Sequence, residues 1–255
     1  MERDTRQANR ARTWGPDELD EHGHYLYPGD VEDAMPEGNK ARRLATYLQE
    51  TILRCVAAPE RDSAYANLPI YTVRGNPRKH VSPDAFYLVG VPYEPDRVSY
   101  RLWETGVAPR AVFEILSQGS EIKDRVANRR IYEDLGIPEY YWFGLQTHEL
   151  QALELEVATG RYRERVPDDR GQYRSAVLGL DVGVREGAIA LYRDGAWLPP
   201  TEELLAAAER QKAEAERQKA EAERQKAEAE QRLAEAAARI RELEERLRRG
   251  EGKDA

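Results

Sequence analysis

Residues 81–89 read VSPDAFYLV and residues 108–117 read APRAVFEILS. Each is an apolar run of strand length that carries one acid: Asp84 after Pro83 in the first, and Glu114, thirty residues later, in the second. Ala111, Val112, Phe113, Ile115 and Leu116 show no polar alternation, which predicts a strand buried on both faces. A charge inside such a strand is costly unless it is paired or bound to a metal ion. Two carboxylates delivered from adjacent strands can meet at one point and hold a hard divalent cation. Mg²⁺, or Mn²⁺ in its place, suits such a site, because Mg²⁺ takes one or two carboxylates and keeps several waters, leaving room for a phosphate oxygen. A cation so placed polarises a phosphodiester and activates water, and a nearby lysine commonly stabilises the developing charge. Taken alone, the pair has a second reading as a surface turn aspartate and an ion-paired glutamate.

Working outward, Leu44, Leu48, Ile52 and Val56 recur every four residues, with Ala45 and Cys55 alongside, so a helix is expected before Pro59. Glu37 falls just before or inside its first turn, and Cys55 reads as a buried core thiol. Residues 68–73 read as a strand, Gly75-Asn76-Pro77 as a turn, and residues 81–89 as a second strand. A short helix near 101–104 and a strand over 110–116 follow. Ser120 as N-cap and Gly136 as stop delimit a helix, and EYYWF at 139–143 is a strand. Beyond Glu149 the pattern is of hairpins, with strands expected at 150–157, 162–166, 177–182 and 188–192. This order predicts an α/β (α+β) domain built on one central mixed sheet flanked by helices.

The last section differs. ERQKAEA repeats from Glu209 through Ala229, and residues 201–249 are rich in the strongest helix formers. Glu209 with Lys212 and Lys212 with Glu216 have the spacing of helical ion pairs. A seam of Leu233, Ala236, Ile240, Leu243 and Leu247 has the 3-4 spacing of a coiled coil, so the helix is read as a homodimer seam, a protein-binding arm or a solvated single helix. The segments are then 1–35 as a flexible lead-in, 36–200 as the folded domain, 201–249 as the charged helix and 250–255 as a disordered tail.

Composition narrows the functional classes. The 255-residue chain has a formal net charge of -8; residues 201–255 hold 15 acids and 13 bases, and residues 1–200 hold 32 and 26. An acidic body argues against strong, sequence-independent binding over its whole surface to a phosphate backbone, although bases can cluster locally. One cysteine permits no internal disulfide. No apolar stretch approaches the ~20 residues of a membrane span, and the first sixteen residues lack a signal core, so a cytoplasmic protein with no membrane contact is expected. His22 and His24 lack a third ligand nearby and read as loop residues. His80 reads as a strand-end histidine within reach of a phosphate, and Ser117 as a capping residue.

These stretches, together with KDRVANRRIYEDLGIPEYYWFG at 123–144, resemble the Uma-type family of restriction-endonuclease-like proteins, in the PD-(D/E)XK nuclease superfamily. The resemblance rests on Pro83-Asp84, Glu114-Ile115-Leu116-Ser117, Asp124, Tyr132 and the run Gly136 to Tyr141, and it covers roughly residues 36–200. It implies a restriction-endonuclease-like core and an Mg²⁺-dependent endonuclease that cleaves DNA, with Asp84 and Glu114 as catalytic metal ligands and Glu37 as a supporting acid. The superfamily's usual lysine, two residues after Glu114, is Leu116 here. The family's helix lysine, four after Asp124, is Asn128. Lys123, Arg125 and Arg129 are then the nearest bases, so Lys123, about 100° around the helix from Asp124, or a nearby arginine is expected to contact phosphate, and Asp124 to organise that helix. Where the family often has a carboxylate or small polar residue after the EYW strand, this chain has Gly144. The alternative is a catalytically degenerate scaffold that binds a partner through its C-terminal helix.

Overall fold

The structure, a computed structural model, describes residues 39–116 and 121–251, with the backbone alone for residues 121–125, 247 and 249–251. Glu37, His22, His24, Ser117 and Ser120 lie outside the described residues, as do the side chains of Lys123 and Asp124. By its contacts the chain divides after Thr201 into two units.

The first unit runs α1 (Asn39–Cys55), β1 (Ser63–Ala66), β2 (Ile70–Tyr71), β3 (His80–Val81), β4 (Ala85–Leu88), β5 (Tyr100–Arg101), α2 (Leu102–Thr105), β6 (Ala111–Leu116), α3 (Glu121–Asp134), β7 (Glu139–Gly144), β8 (Leu150–Glu156), β9 (Arg161–Glu164), β10 (Tyr173–Arg174), β11 (Asp181–Arg185), β12 (Ala188–Arg193) and β13 (Ala196–Trp197). A central sheet has the order β1-β4-β6-β7-β8-β9. β6 and β7 are parallel and the other pairs antiparallel, so this is the mixed sheet that the pattern predicts. A parallel pair needs a crossover, and α3 lies in the connection from β6 to β7.

The two faces of this sheet carry different cores. Ala111, Phe113 and Ile115 of β6 share one core with Ala45, Leu48 and Ile52 of α1, with Val182 and Leu191 of the second sheet, β10-β11-β12-β13, and with Leu180 just before β11. On that face Phe113 stacks on Tyr141 with ring centroids 4.9 Å apart, worth about 1 kcal/mol beyond burial. Val112 faces the other way, into a core with Tyr132 of α3, Tyr140 of β7 and Ile70, Val81 and Tyr100 of a small sheet, β3-β2-β5. All six residues of β6 are buried.

Several local expectations need correcting. The strand expected over 81–89 is two, β3 and β4, because Ser82, Pro83 and Asp84 break it; a proline cannot donate to a ladder. Only Ile70 and Tyr71 of the 68–73 stretch pair. β1, with sequence SAYA, was not expected; Ser and Ala carry little strand signal of their own, and its pairing with β4 makes it a strand. The strand expected at 177–182 begins at Asp181 instead. Cys55 is half-buried.

The second unit, from Glu202, holds all but the first residue of the helix α4 (Thr201–Glu251). Its ion pairs among the described residues include Arg224–Glu228 at 3.0 Å and Arg239–Glu242 at 3.0 Å. Exposed pairs of this kind hold long side chains only weakly. Leu233, Ile240 and Leu243 are all exposed. Among the described residues no helix is long and apolar enough to cross a membrane.

Glu139 joins the central sheet to the second one. It is buried at the start of β7, and its carboxyl oxygens accept bonds from Tyr141 Oη (3.0 Å), Ser175 Oγ, Ala176 N (2.8 Å) and Val177 N (3.1 Å). Glu139→Ala strands these donors in a dry interior and is expected to cost roughly 3 kcal/mol or more. Urea unfolding measures this, and a change below about 1 kcal/mol would mean the donors find other partners.

Candidate functional site

β6 sets the site. Because successive side chains alternate across a strand, Glu114 shares the face of Val112 and points to the side covered by α3. It is 7 % exposed. Two α3 side chains one turn apart reach its Oε1: Tyr132 Oη donates at 2.5 Å and Asn128 Nδ2 at 3.1 Å. Their i,i+4 spacing puts both on the helix face that meets the sheet.

Asp84 comes from the neighbouring strand. It stands immediately before β4, outside the strand in which it was expected. The pairing of Ala85 with Phe113, continued by one residue, sets Asp84 opposite Glu114. Its Oδ2 accepts the Ile115 backbone N–H at 2.5 Å, and its own carbonyl accepts the Asn67 N–H at 2.9 Å. On the other side, Glu114 pairs in register with Trp142 of β7. Beyond Trp142 a cavity of about 320 Å³ opens between α3 and β8, lined by Val126, Arg129, Trp142 and Gln151 among others.

Burial and then the charge of Asp84 push the Glu114 carboxyl up to about 8, against the bonds from Tyr132, Asn128 and the Asp84 backbone, which hold it down. Burial, then the Glu114 charge, pushes the Tyr132 phenol well above its ordinary range. Two acids crowded in a dry place resist joint ionisation; a divalent cation relieves that conflict. The donor set fits Mg²⁺ or Mn²⁺, which need few protein carboxylates. No group of three or more His, Cys, Asp or Glu side chains that could hold a metal ion is found among the described residues, so beside this pair the described residues offer such an ion backbone carbonyls, with waters or substrate completing its shell.

Of the other sequence candidates, Asn128 is at the carboxylates and Leu116 is buried in β6. Lys123 and Asp124 lie on α3, their side chains outside the described residues, and Glu37 is outside altogether. His80 is exposed, with Nδ1 donating to the Pro77 carbonyl at 2.8 Å. Gly144 leaves little room for a side chain, since a Cβ there would come 2.3 Å from Thr147 Oγ1. Sequence reasoning missed the bonds from Tyr132 and Asn128 to Glu114; the i,i+4 spacing of the two was the available signal.

The raised pKa has a sign in stability. Glu114 in the folded state holds its proton between the ordinary 4.5 and about 8, so its contribution is complete below the lower value and is lost as pH rises through the upper one. Without metal, stability is expected to fall across that window by on the order of a few kcal/mol. Glu114→Gln, which carries no titrating proton, should flatten the fall. Urea midpoints at pH 5 to 8 check this, and equal slopes in the two proteins would contradict it.

The profile of the Uma2 family, described as "Putative restriction endonuclease", matches residues 14–191. Among solved structures, the chain is similar to one described as a "putative nuclease belonging to DUF820" from Anabaena variabilis ATCC 29413, at 15 % identity and a TM-score of 0.40 over 55 % of this chain and 73 % of that one. A comparison with curated proteins finds no match. With the family profile spanning well over half of its length, this chain belongs to the Uma2 family.

Proposed function

We propose that this protein hydrolyses DNA phosphodiester bonds as an endonuclease, with an Mg²⁺ or Mn²⁺ ion held by Asp84 and Glu114. The observation that supports it most is the buried Glu114 carboxyl set against a second acid, with partners from α3 and β6 holding both in place. Perturbed acids of this kind cluster at functional sites. Family membership points the same way. Bound there, the ion supplies Lewis acidity toward a phosphoryl oxygen and lowers the pKa of water.

The chain's own groups have separate tasks in this reading. Tyr132 and Asn128 fix the Glu114 side chain, and the Ile115 N–H fixes Asp84, so both carboxylates are oriented before substrate arrives. The phosphate contact would fall to Lys123 or a nearby arginine, with Asp124 organising that helix. An arginine such as Arg125 can hold phosphate but cannot act as a base.

A second reading has one observation in its favour. The helix position where the resemblance leads one to expect lysine holds Asn128, which reaches Glu114 but brings no charge. A catalytically reduced scaffold fits that, with α4 and its exposed Leu233, Ile240 and Leu243 as the arm that binds a protein partner or a second copy.

Calorimetry with Mn²⁺ separates the readings. The wild type should bind about one ion per chain, and the Asp84→Ala, Glu114→Ala double variant none. Because the ion must displace the Glu114 proton, affinity should rise with pH by up to about tenfold per unit until the pH passes the Glu114 value. No binding by the wild type would sink the hydrolase reading. Asn128→Lys should raise metal-dependent nicking of plasmid DNA at least about tenfold if only the missing charge limits the site; unchanged nicking would favour the reduced scaffold.

A further inference from the structure

The 21 residues from Ser63 to Pro83 contain no acid in a chain whose net charge is -8, and within them stand Arg74, Arg78, Lys79 and His80. The acid that ends this stretch is Asp84. All four basic side chains are exposed. Arg74 and Lys79 have no ion pair among the described residues, so their charge is uncompensated locally.

The loop that carries them holds itself in shape. Thr72 donates to the Lys79 carbonyl from its backbone N–H at 2.9 Å and from Oγ1 at 3.1 Å. The Asn76 N–H donates to the Val73 carbonyl at 3.2 Å, and Asn76 in turn accepts the Lys79 N–H on its carbonyl at 3.0 Å and the Arg78 N–H on Oδ1 at 3.2 Å. Gly75 takes the positive φ of 76° that the turn requires. The His80 ring lies 5.3 Å from that of Tyr71, and its Nδ1–H is spent on Pro77, so Nε2 is the nitrogen left for a ligand. A hollow of about 190 Å³ at the tip is lined by Gly75, Asn76, Pro77 and Arg78.

Position makes this loop more than a charged turn. Its roots, Ile70 and Val81, pack in the same core as Val112 and Tyr132, so the small sheet covers the face of the central sheet to which Glu114 points. His80 precedes Asp84 by four residues, at most about 14 Å of chain. That reach equals about four base-pair rises along the axis of a duplex.

We propose that residues 72–81 grip the sugar–phosphate backbone of DNA and lay it against the Asp84–Glu114 pair. Such a grip deepens the hydrolase reading and rests on it for the identity of the ligand. In a protein whose overall charge repels nucleic acid, binding then draws on local basic elements of which this is one, and three phosphates neutralised here contribute a salt dependence of about 2 to 3 in the slope of log K against log salt.

The test is binding of a fluorescein-labelled duplex of roughly 20–30 base pairs and natural composition, read by anisotropy in EDTA, where no cleavage occurs, across a salt series. The variants are Arg74→Ala/Arg78→Ala/Lys79→Ala and, as a basic-residue control, Arg42→Ala/Arg43→Ala, exposed on α1 over the opposite face. Thermal melts establish that both fold. The hairpin variant should lose about tenfold or more in affinity near 0.1 M salt and about 2 in slope, with the control unchanged. A hairpin variant that binds like the wild type, an equal loss in the control, or no binding by the wild type overturns the proposal. The last outcome leaves an acidic protein segment as the hairpin's partner. If the hairpin is needed for binding but Mn²⁺ produces no cleavage, the grip stands and the catalytic reading falls.

Discussion

A carboxyl group in the middle of a strand buried on both faces has to be satisfied by whatever packs directly on it, and Glu114 is in that position. Its partners, Tyr132 and Asn128, come from the helix in the connection that carries the chain from β6 to the parallel strand β7. The crossover that builds the parallel pair therefore also stabilises the buried acid. Asp84 is tied in from the other side through the Ile115 N–H. A buried polar network is favourable only when each member is satisfied, so strand, helix and neighbouring strand hold one another in register around this point.

The central sheet is asymmetric for the same reason. The face toward α1 is a dry core closed by the second sheet, with Phe113, Tyr141, Leu180 and Leu191 among its members. The face toward α3 mixes aromatic packing with the two acids, and the small β3-β2-β5 sheet shares its core. Function is more easily placed on such a face, because the rigid elements on both sides pre-orient the polar groups between them. Asn128 marks where this member of the Uma2 family departs from the pattern its sequence otherwise resembles. The amide keeps the hydrogen bond to Glu114, which a buried acid needs, and lacks the positive charge that would draw its pKa down.

Much of the frame is legible in the sequence alone. The apolar run of β6, interrupted only by Glu114, the four-residue recurrence along α1, the Gly136 stop after α3 and the aromatic run of β7 each follow from periodicity and local chemistry. Tertiary pairing overrode local signals elsewhere. SAYA at 63–66 is a strand because β4 offers it a partner, and VSPDAFYLV is two strands because Pro83 cannot donate across the ladder. Both departures flank Asp84, where the chain gives up regular pairing to leave a carboxylate at a strand end.

The sequence by itself determined the residue types and their order: an acid inside a buried strand, a second acid behind a proline thirty residues earlier, a basic stretch without acids between Asp62 and Asp84, an asparagine four residues before Tyr132, and the composition of a long helix. Those follow from local propensity and hydrophobic pattern, which are properties of neighbours along the chain. Only the tertiary structure decided that Glu114 is bonded to Tyr132 and Asn128, that Asp84 is held by Ile115 and that the basic hairpin packs on the Glu114 side of the sheet. Each of those depends on strand register and on which face a helix covers. Such choices are made by burying surface between residues far apart in the chain, and no local pattern records them.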